Sequence, residues 1–361
     1  MFEIRDQKTV CEIPPAKKNG RNSEGDFITL KDGTIMFAYS RYNSDGMEDD
    51  DSCDIAALFS YDNGETFTDG KILVTAESLD TRNLMSVSLM RMNNGDLGLF
   101  FLKKLKNGNS EYHLFRSADE GKTFYHKTKC LPNIFSSYYV INNCRVLKTK
   151  DGKLYIPAAS HRKGIDEKGE LQFDYYAVSL LYVSEDDGFT WEEKNIKFAN
   201  PDPNSETGLQ EPGITELPDG SLYAYFRTDR LCQYESFSLD GGNKWTTPAP
   251  SRFTSPESPM LIKKNPYSKK YYSVYNPVPF YNTRNETEEF FQGGRTPIIL
   301  RESLDGINFS DEIILESDEK KGYCYPAIYF TDEKTILISF CAGGKEDGSC
   351  LNKTIIKKIL L

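Results

Sequence analysis

Short stretches in which apolar and polar residues alternate recur along the whole chain, and each is entered through a tight polar turn. The turns read Asp32-Gly33, Asn94-Gly95, Asp151-Gly152 and Asp219-Gly220, with weaker versions after Tyr267 and Phe330. An Asx-Gly pair leading into an alternating run is a hairpin signal, because glycine supplies the positive φ that a tight turn requires. Six such strand entries are present, and no stretch holds the 3.6-residue period of a long amphipathic helix. The expectation is an all-β chain.

A second pattern is interleaved with the first. The octapeptide Ser-x-Asp-x-Gly-x-Thr-aromatic stands at Ser60 to Phe67, Ser117 to Phe124 and Ser184 to Trp191, with degenerate copies from Ser238 to Trp245 and from Ser303 to Phe309. Its serines are 57, 67, 54 and 65 residues apart. A repeat of that size is one four-stranded blade. Within each copy the Asp accepts from the backbone amides of the turn, the Gly takes the positive-φ position, and the aromatic packs between sheets. The motif is therefore a hairpin clamp and not a catalytic site. Six strand entries, five clamps and 361 residues together predict a six-bladed β-propeller of four-stranded antiparallel sheets, with residues 1–361 as a single domain. The last blade has no clamp, so a strand from the other end of the chain is expected to complete it and hide two sheet edges.

Composition adds exclusions. A formal net charge of -10 disfavours nucleic acid and anionic membrane surfaces as partners, since both need clustered Lys and Arg. No apolar run in the first twenty residues could serve as the core of a leader, and none elsewhere approaches a membrane span, so the chain as given reads as cytoplasmic. A secreted chain whose leader had been removed reads the same way. The eight cysteines form no Cys-x-x-Cys pair, which points to reduced packing residues and to neither a zinc site nor a redox motif; no metal or cofactor is expected.

The clamps resemble the Asp-boxes, or BNR repeats, of the sialidase-like superfamily, from about Ser60 to Phe309. That resemblance implies the propeller but not an activity, because non-catalytic propellers carry the same motif. Function has to come from residues at the centre. The segment from Glu211 to Arg227 resembles the sialidase stretch in which a glutamate that activates a tyrosine precedes an Asp-Gly turn, and an arginine that grips the substrate carboxylate ends the next strand. The segment Gly322 to Phe330 resembles the one that carries the tyrosine, with Tyr325 as the first choice and Tyr323 as the alternate. Gly293-Gly294-Arg295 resembles the segment of the third arginine, where glycines let backbone and ligand approach closely, and Arg295 is preferred to Arg301. At the first arginine the likeness frays. Arg21 stands where an Arg-Ile-Pro motif is usual, with Glu24 and Asp26 beside it, and this departure bears on the substrate more than on the reaction class.

The resemblance also implies a general acid from the loop before the first clamp. The run from Met47 to Asp54, with the five acids Glu48, Asp49, Asp50, Asp51 and Asp54, occupies that place, with Asp50 favoured and Asp49 second; a solvated or calcium-binding loop is the competing reading. Asn83, Asn143, Arg145, His161 and Gln233 stand where inner strand ends are expected and are further candidates for substrate contact, while His113 and His126 flank a clamp. The chemistry is coherent. A sialic-acid-like sugar carries a carboxylate on its anomeric carbon, so a neutral tyrosine avoids the repulsion that an anionic nucleophile would meet. Its phenol, with an ordinary pKa of about 10, needs a base such as Glu211, and three converging arginines would hold the carboxylate and lower the phenol's pKa. The sequence thus suggests a retaining exo-glycosidase for a terminal acidic sugar. The alternatives are a lectin-like propeller that binds without turnover, and a hydrolase or lyase of another acidic glycan.

Overall fold

The protein is described by a computed structural model covering residues 2–106, 108–132, 137–169, 171–279 and 294–361. The chain is all-β in a propeller arrangement, with helix confined to short 3-10 turns such as Glu77–Leu79 among the described residues. Strand β1 (Asp6–Ile13) is the outlier in order, since it pairs with the last strand and not with the next. After it come β2 (Asn22–Thr29), β3 (Ile35–Tyr42), β4 (Cys53–Ser60) and β5 (Lys71–Val74), then β6 (Asn83–Arg91), β7 (Leu97–Lys104), β8 (Ser110–Ser117) and β9 (His126–Lys129). The third group is β10 (Ser137–Val140), β11 (Leu147–Lys148), β12 (Leu154–Ile165), β13 (Leu171–Ser184) and β14 (Glu192–Glu193). The fourth is β15 (Gln210–Glu216), β16 (Leu222–Arg227), β17 (Cys232–Ser238) and β18 (Ala249–Thr254), and the fifth β19 (Leu261–Lys264), β20 (Tyr271–Tyr275), β21 (Ile298–Ser303) and β22 (Ile313–Glu316). Strands β23 (Cys324–Phe330), β24 (Thr335–Cys341) and β25 (Thr354–Leu360) close the chain in the sheet order β1-β25-β24-β23. The last sheet is therefore completed by the amino-terminal strand, as expected for one whose own segment carries no clamp.

The described residues form five hydrogen-bonded sheets where six separate ones were expected. The difference lies in one bridge. A single parallel pair, Cys53 with Asn83, joins the meander β2 to β5 to the meander β6 to β9 and makes one eight-stranded sheet of them. The apolar faces of neighbouring sheets pack on each other: Phe27, Phe37 and Ile338 share one cluster, and Phe100, Leu154 and Trp191 another.

The clamps are built as expected, with one change of emphasis. In the copy at Ser184, the buried Ser184 hydroxyl accepts from the Gly188 amide at 2.8 Å and donates to Asp186, while Asp186 accepts from Thr190. The serine is buried and the aspartate exposed. The aromatic positions Phe67, Phe124, Trp191, Trp245 and Phe309 all pack on sheet cores. Ser184→Ala, which strands a buried amide, is expected to cost about 1–3 kcal/mol in urea unfolding, and Asp186→Ala less, because its donors can turn to water. Equal losses in the two variants would show that the aspartate, and not the buried hydroxyl, organises the turn.

Candidate active site

Four innermost strands lose register at equivalent places: β2 between Ser23 and Asp26, β6 between Met85 and Ser88, β15 between Gln210 and Gly213, and β23 between Cys324 and Ala327. In each bulge one residue that is not glycine adopts left-handed backbone, namely Glu24 (φ 54), Ser86 (φ 60), Glu211 (φ 43) and Tyr325 (φ 54). Such a conformation costs about 1–2 kcal/mol per residue, and a bulge re-aims the side chain it carries. Here it turns them toward one another. Tyr325 Oη donates to Glu211 Oε1 at 2.9 Å, and Ser86 Oγ donates to Glu24 Oε2 at 2.6 Å.

The three expected arginines surround this pair. Arg227 Nη1 donates to the second oxygen of Glu211 at 2.7 Å, and its Nη2 to Glu257 Oε1 at 2.7 Å. Arg21, only 2% exposed, is held by Glu24 at 2.9 Å and by Asp49 at 2.7 Å. Arg295 lies over the Tyr325 ring at 5.7 Å and donates to Cys324 Sγ and the Glu257 carbonyl, and among the described residues it forms no ion pair. Gly293, the first of the glycines before it, lies outside the described residues.

These contacts shift the titrating groups in unequal ways. Burial, then the charge of Glu211, holds the Tyr325 phenol well above its usual value, with Arg295 and Arg227 opposing. The arginines pull it down as expected, but desolvation and a carboxylate in hydrogen-bond contact outweigh them. Burial also pushes Glu24 up to about 7 against the pull of Arg21. Asp49 goes the other way: desolvation would raise it, but Arg21 and then Lys104 bring it down to about 2, even though 59% of its side chain is exposed.

Other expected residues are placed differently. Asp50, preferred over Asp49, is 90% exposed and has Lys104 at 3.5 Å, so it is Asp49 that faces the arginines. Asn83 lies behind the acidic loop and donates to the carbonyls of Asp49 and Asp51. Asn143 ties the bulged backbones together, donating to Gly25 O at 2.8 Å and Tyr325 O at 3.3 Å. Tyr323 is buried against Phe340, and its hydroxyl accepts from the Asp318 amide. Gln233 is buried on β17, donating to Ser255 and Ser258. His161 lies on the β12–β13 hairpin with Nδ1 at the Asp174 carbonyl; burial lowers its pKa, with Glu211 and Arg227 among the charges that reach it. Arg145 is directed elsewhere, bonding Met260 O, and lines a cavity that the Tyr325 cluster does not share.

Four contributors were not foreseen. Glu257 completes the second pair of Arg227, Lys104 braces the Asp49 carbonyl, Ser86 holds Glu24, and the thiols of Cys324, Cys341 and Cys350 cluster behind Arg295. The equivalence of the bulge positions could have pointed to Ser86. Nothing local marked Glu257. No disulfide links the cysteines among the described residues.

A family profile described as a BNR repeat-like domain matches residues 46–338. A stretch of 99 residues is 32% identical to the anhydrosialidase of Macrobdella decora, a match over 27% of this chain and 11% of that protein. Among solved structures, a protein of unknown function from Dyadobacter fermentans superposes with a TM-score of 0.69 at 17% identity, covering 99% of both chains. The Trypanosoma rangeli sialidase in complex with sialic acid superposes with a TM-score of 0.66 at 13% identity, over 98% of this chain and 59% of that one. At these identities the likeness is one of fold.

Proposed function

Because this chain belongs to the BNR repeat-like family and has the fold of the sialidases, we propose that it is a retaining exo-glycosidase releasing a terminal acidic sugar, a sialic acid or a related keto-deoxy acid. The observation that carries this reading is the Tyr325 to Glu211 hydrogen bond of 2.9 Å, with Arg227 on the other carboxylate oxygen. A binding protein needs the arginines, but it has no use for a phenol aimed at a base. The same reading takes the propeller as six-bladed, with the two halves of the eight-stranded sheet as separate blades and the amino-terminal strand as the closing edge of the last.

In this mechanism the Tyr325 oxygen attacks the anomeric carbon while the glycosidic carbon–oxygen bond breaks, and Glu211 takes the phenolic proton during the attack. The high phenol pKa requires that concerted transfer, since little phenolate exists beforehand. The leaving oxygen takes a proton from Asp49. Water, deprotonated by Asp49, then displaces the tyrosine, with Glu211 returning its proton and two inversions giving retention.

The arginines are the carboxylate site, and the ion pairs explain how they are kept ready. Arg295, free of carboxylate partners among the described residues, is the first contact, while Asp49 stands on Arg21 where the sugar carboxylate would lie. Displacing Asp49 from Arg21 also removes the largest of the charges that hold its pKa near 2, which favours its carrying the proton that the leaving group needs. Substrate binding thus arms the acid. The assay is release of free sugar from an aryl glycoside of a sialic acid. Saturable binding of the sugar with no release over days would favour the lectin-like alternative.

Glu24 predicts a pH dependence. Below about 7 it is protonated, and Arg21 faces the ligand with Asp49 as its one negative partner; above, the added charge of Glu24 opposes an anion. Affinity for a sialic acid inhibitor is therefore expected to fall on the order of tenfold as pH rises through 7. Glu24→Gln should flatten that fall, and an unchanged profile in the variant would assign the titration to another group.

A further inference from the structure

Strand β15 carries Glu211 near one end, and its last residues, Ile214 to Glu216, line a separate cavity of about 590 Å³. At about 3.3 Å per residue that places the cavity roughly 10–16 Å from Glu211, toward the opposite mouth of the propeller. Its volume is that of a small-ligand site. Its charge runs against that of the chain: the lining contains Arg145, Lys148, Lys150, Lys263, Lys264 and Lys269 but, among the described residues, Glu216 as its one carboxylate, in a protein of net charge -10.

Lys263 pairs with Asp26 at 3.7 Å, but the other cations are poorly matched by the protein itself. Lys148, Lys150 and Lys269 reach main-chain carbonyls of Arg91, Pro218 and Pro266, and Lys264 lies over the Tyr271 ring at 4.9 Å. None of these four forms an ion pair among the described residues. Glu216 is engaged by the Lys150 amide at 3.0 Å. Arg145 is 4% exposed and lies over the Tyr225 ring at 5.8 Å; Nη2 donates to Met260 O at 2.6 Å, and Nε and Nη1 have no hydrogen-bond partner among the described residues. A buried guanidinium without a counter-charge is costly, and an anion in the cavity that it lines would relieve it. Burial and the charges of Lys150 and Lys269 also lower the Lys264 pKa, a repulsion that the same anion would remove.

We propose that this cavity is a second ligand site, for a small organic anion whose phosphate or carboxylate is held by Arg145 and the surrounding lysines while its carbon body rests on Leu89, Ile214 and Leu261. The site is independent of the Tyr325 cluster and of the activity proposed for it. Calorimetric titration of the full chain with glucose 6-phosphate, inorganic phosphate and glucose tests it. Glucose 6-phosphate is expected to saturate at millimolar concentration or below, inorganic phosphate to bind more weakly, and glucose not to bind. Lys148→Ala combined with Lys264→Ala should weaken glucose 6-phosphate about tenfold or more, and Arg145→Met likewise, with the lysine pair deciding if the buried substitution impairs folding. Arg227→Ala should leave it unchanged. No saturable binding of either anion at about 10 mM would overturn the site. So would binding lost in Arg227→Ala but kept in the lysine variant, since the anion would then occupy the Tyr325 side. Inorganic phosphate binding as tightly as the sugar phosphate would overturn the role given to the apolar wall.

Discussion

Tyr325→Phe is expected to reduce turnover of an aryl glycoside of a sialic acid roughly a thousandfold or more while leaving KM within a few-fold, the pattern of a group needed only in the transition state. The ring keeps its place under Arg295, and the change removes one oxygen, the one that donates to Glu211 at 2.9 Å. Steady-state kinetics with the anomer of the first product read by NMR makes the test complete. A variant within tenfold of wild type, or an inverted product, would mean that Glu211 activates water directly and that Tyr325 only positions it. Inactivity of wild type and variant alike, with the sugar still bound, would support a binding protein.

Arg227→Ala should act on both parameters. The carboxylate of the sugar is gripped before and during reaction, so KM is expected to rise and kcat to fall, with kcat/KM lower by roughly a thousandfold. The substitution also leaves the buried Glu211 and the neighbouring Glu257 without their shared cation, a loss of the kind that costs about 3–5 kcal/mol when a buried pair is broken. Thermal unfolding should therefore report the change as well. Arg227→Lys separates the two effects: it keeps the charge but cannot reach both carboxylates with a planar fork, so stability should recover more than catalysis. Parallel recovery of both would show that charge alone, without the forked geometry, is what the site requires.

The parts whose hydrogen bonds are local can be read along the chain. A clamp closes within a few residues, as Ser184, Asp186, Gly188 and Thr190 do, and its aromatic residue has one apolar face to enter, so the repeat announces both the blade and its size. Glu211 and Arg227 were marked by the resemblance of their segment, and their proximity is local as well, since Gln210 pairs with Arg227 across one hairpin. Packing between remote segments, by contrast, sets where a side chain goes when its neighbours in space are far away in sequence. Asp49 and Asp50 are adjacent in one loop, yet Arg21, Asn83 and Lys104 from other strands hold the first inward and leave the second in solvent. The bulges are likewise invisible along the chain, because a one-residue slip against a partner strand has no local signature, and it is that slip which turns Glu24, Ser86, Glu211 and Tyr325 toward the centre. Arg145 follows the same logic with the opposite result: Asn143 is drawn to the backbones of Gly25 and Tyr325, whereas Arg145, on the far side of the left-handed Cys144, is carried to the Met260 carbonyl and the other mouth of the propeller.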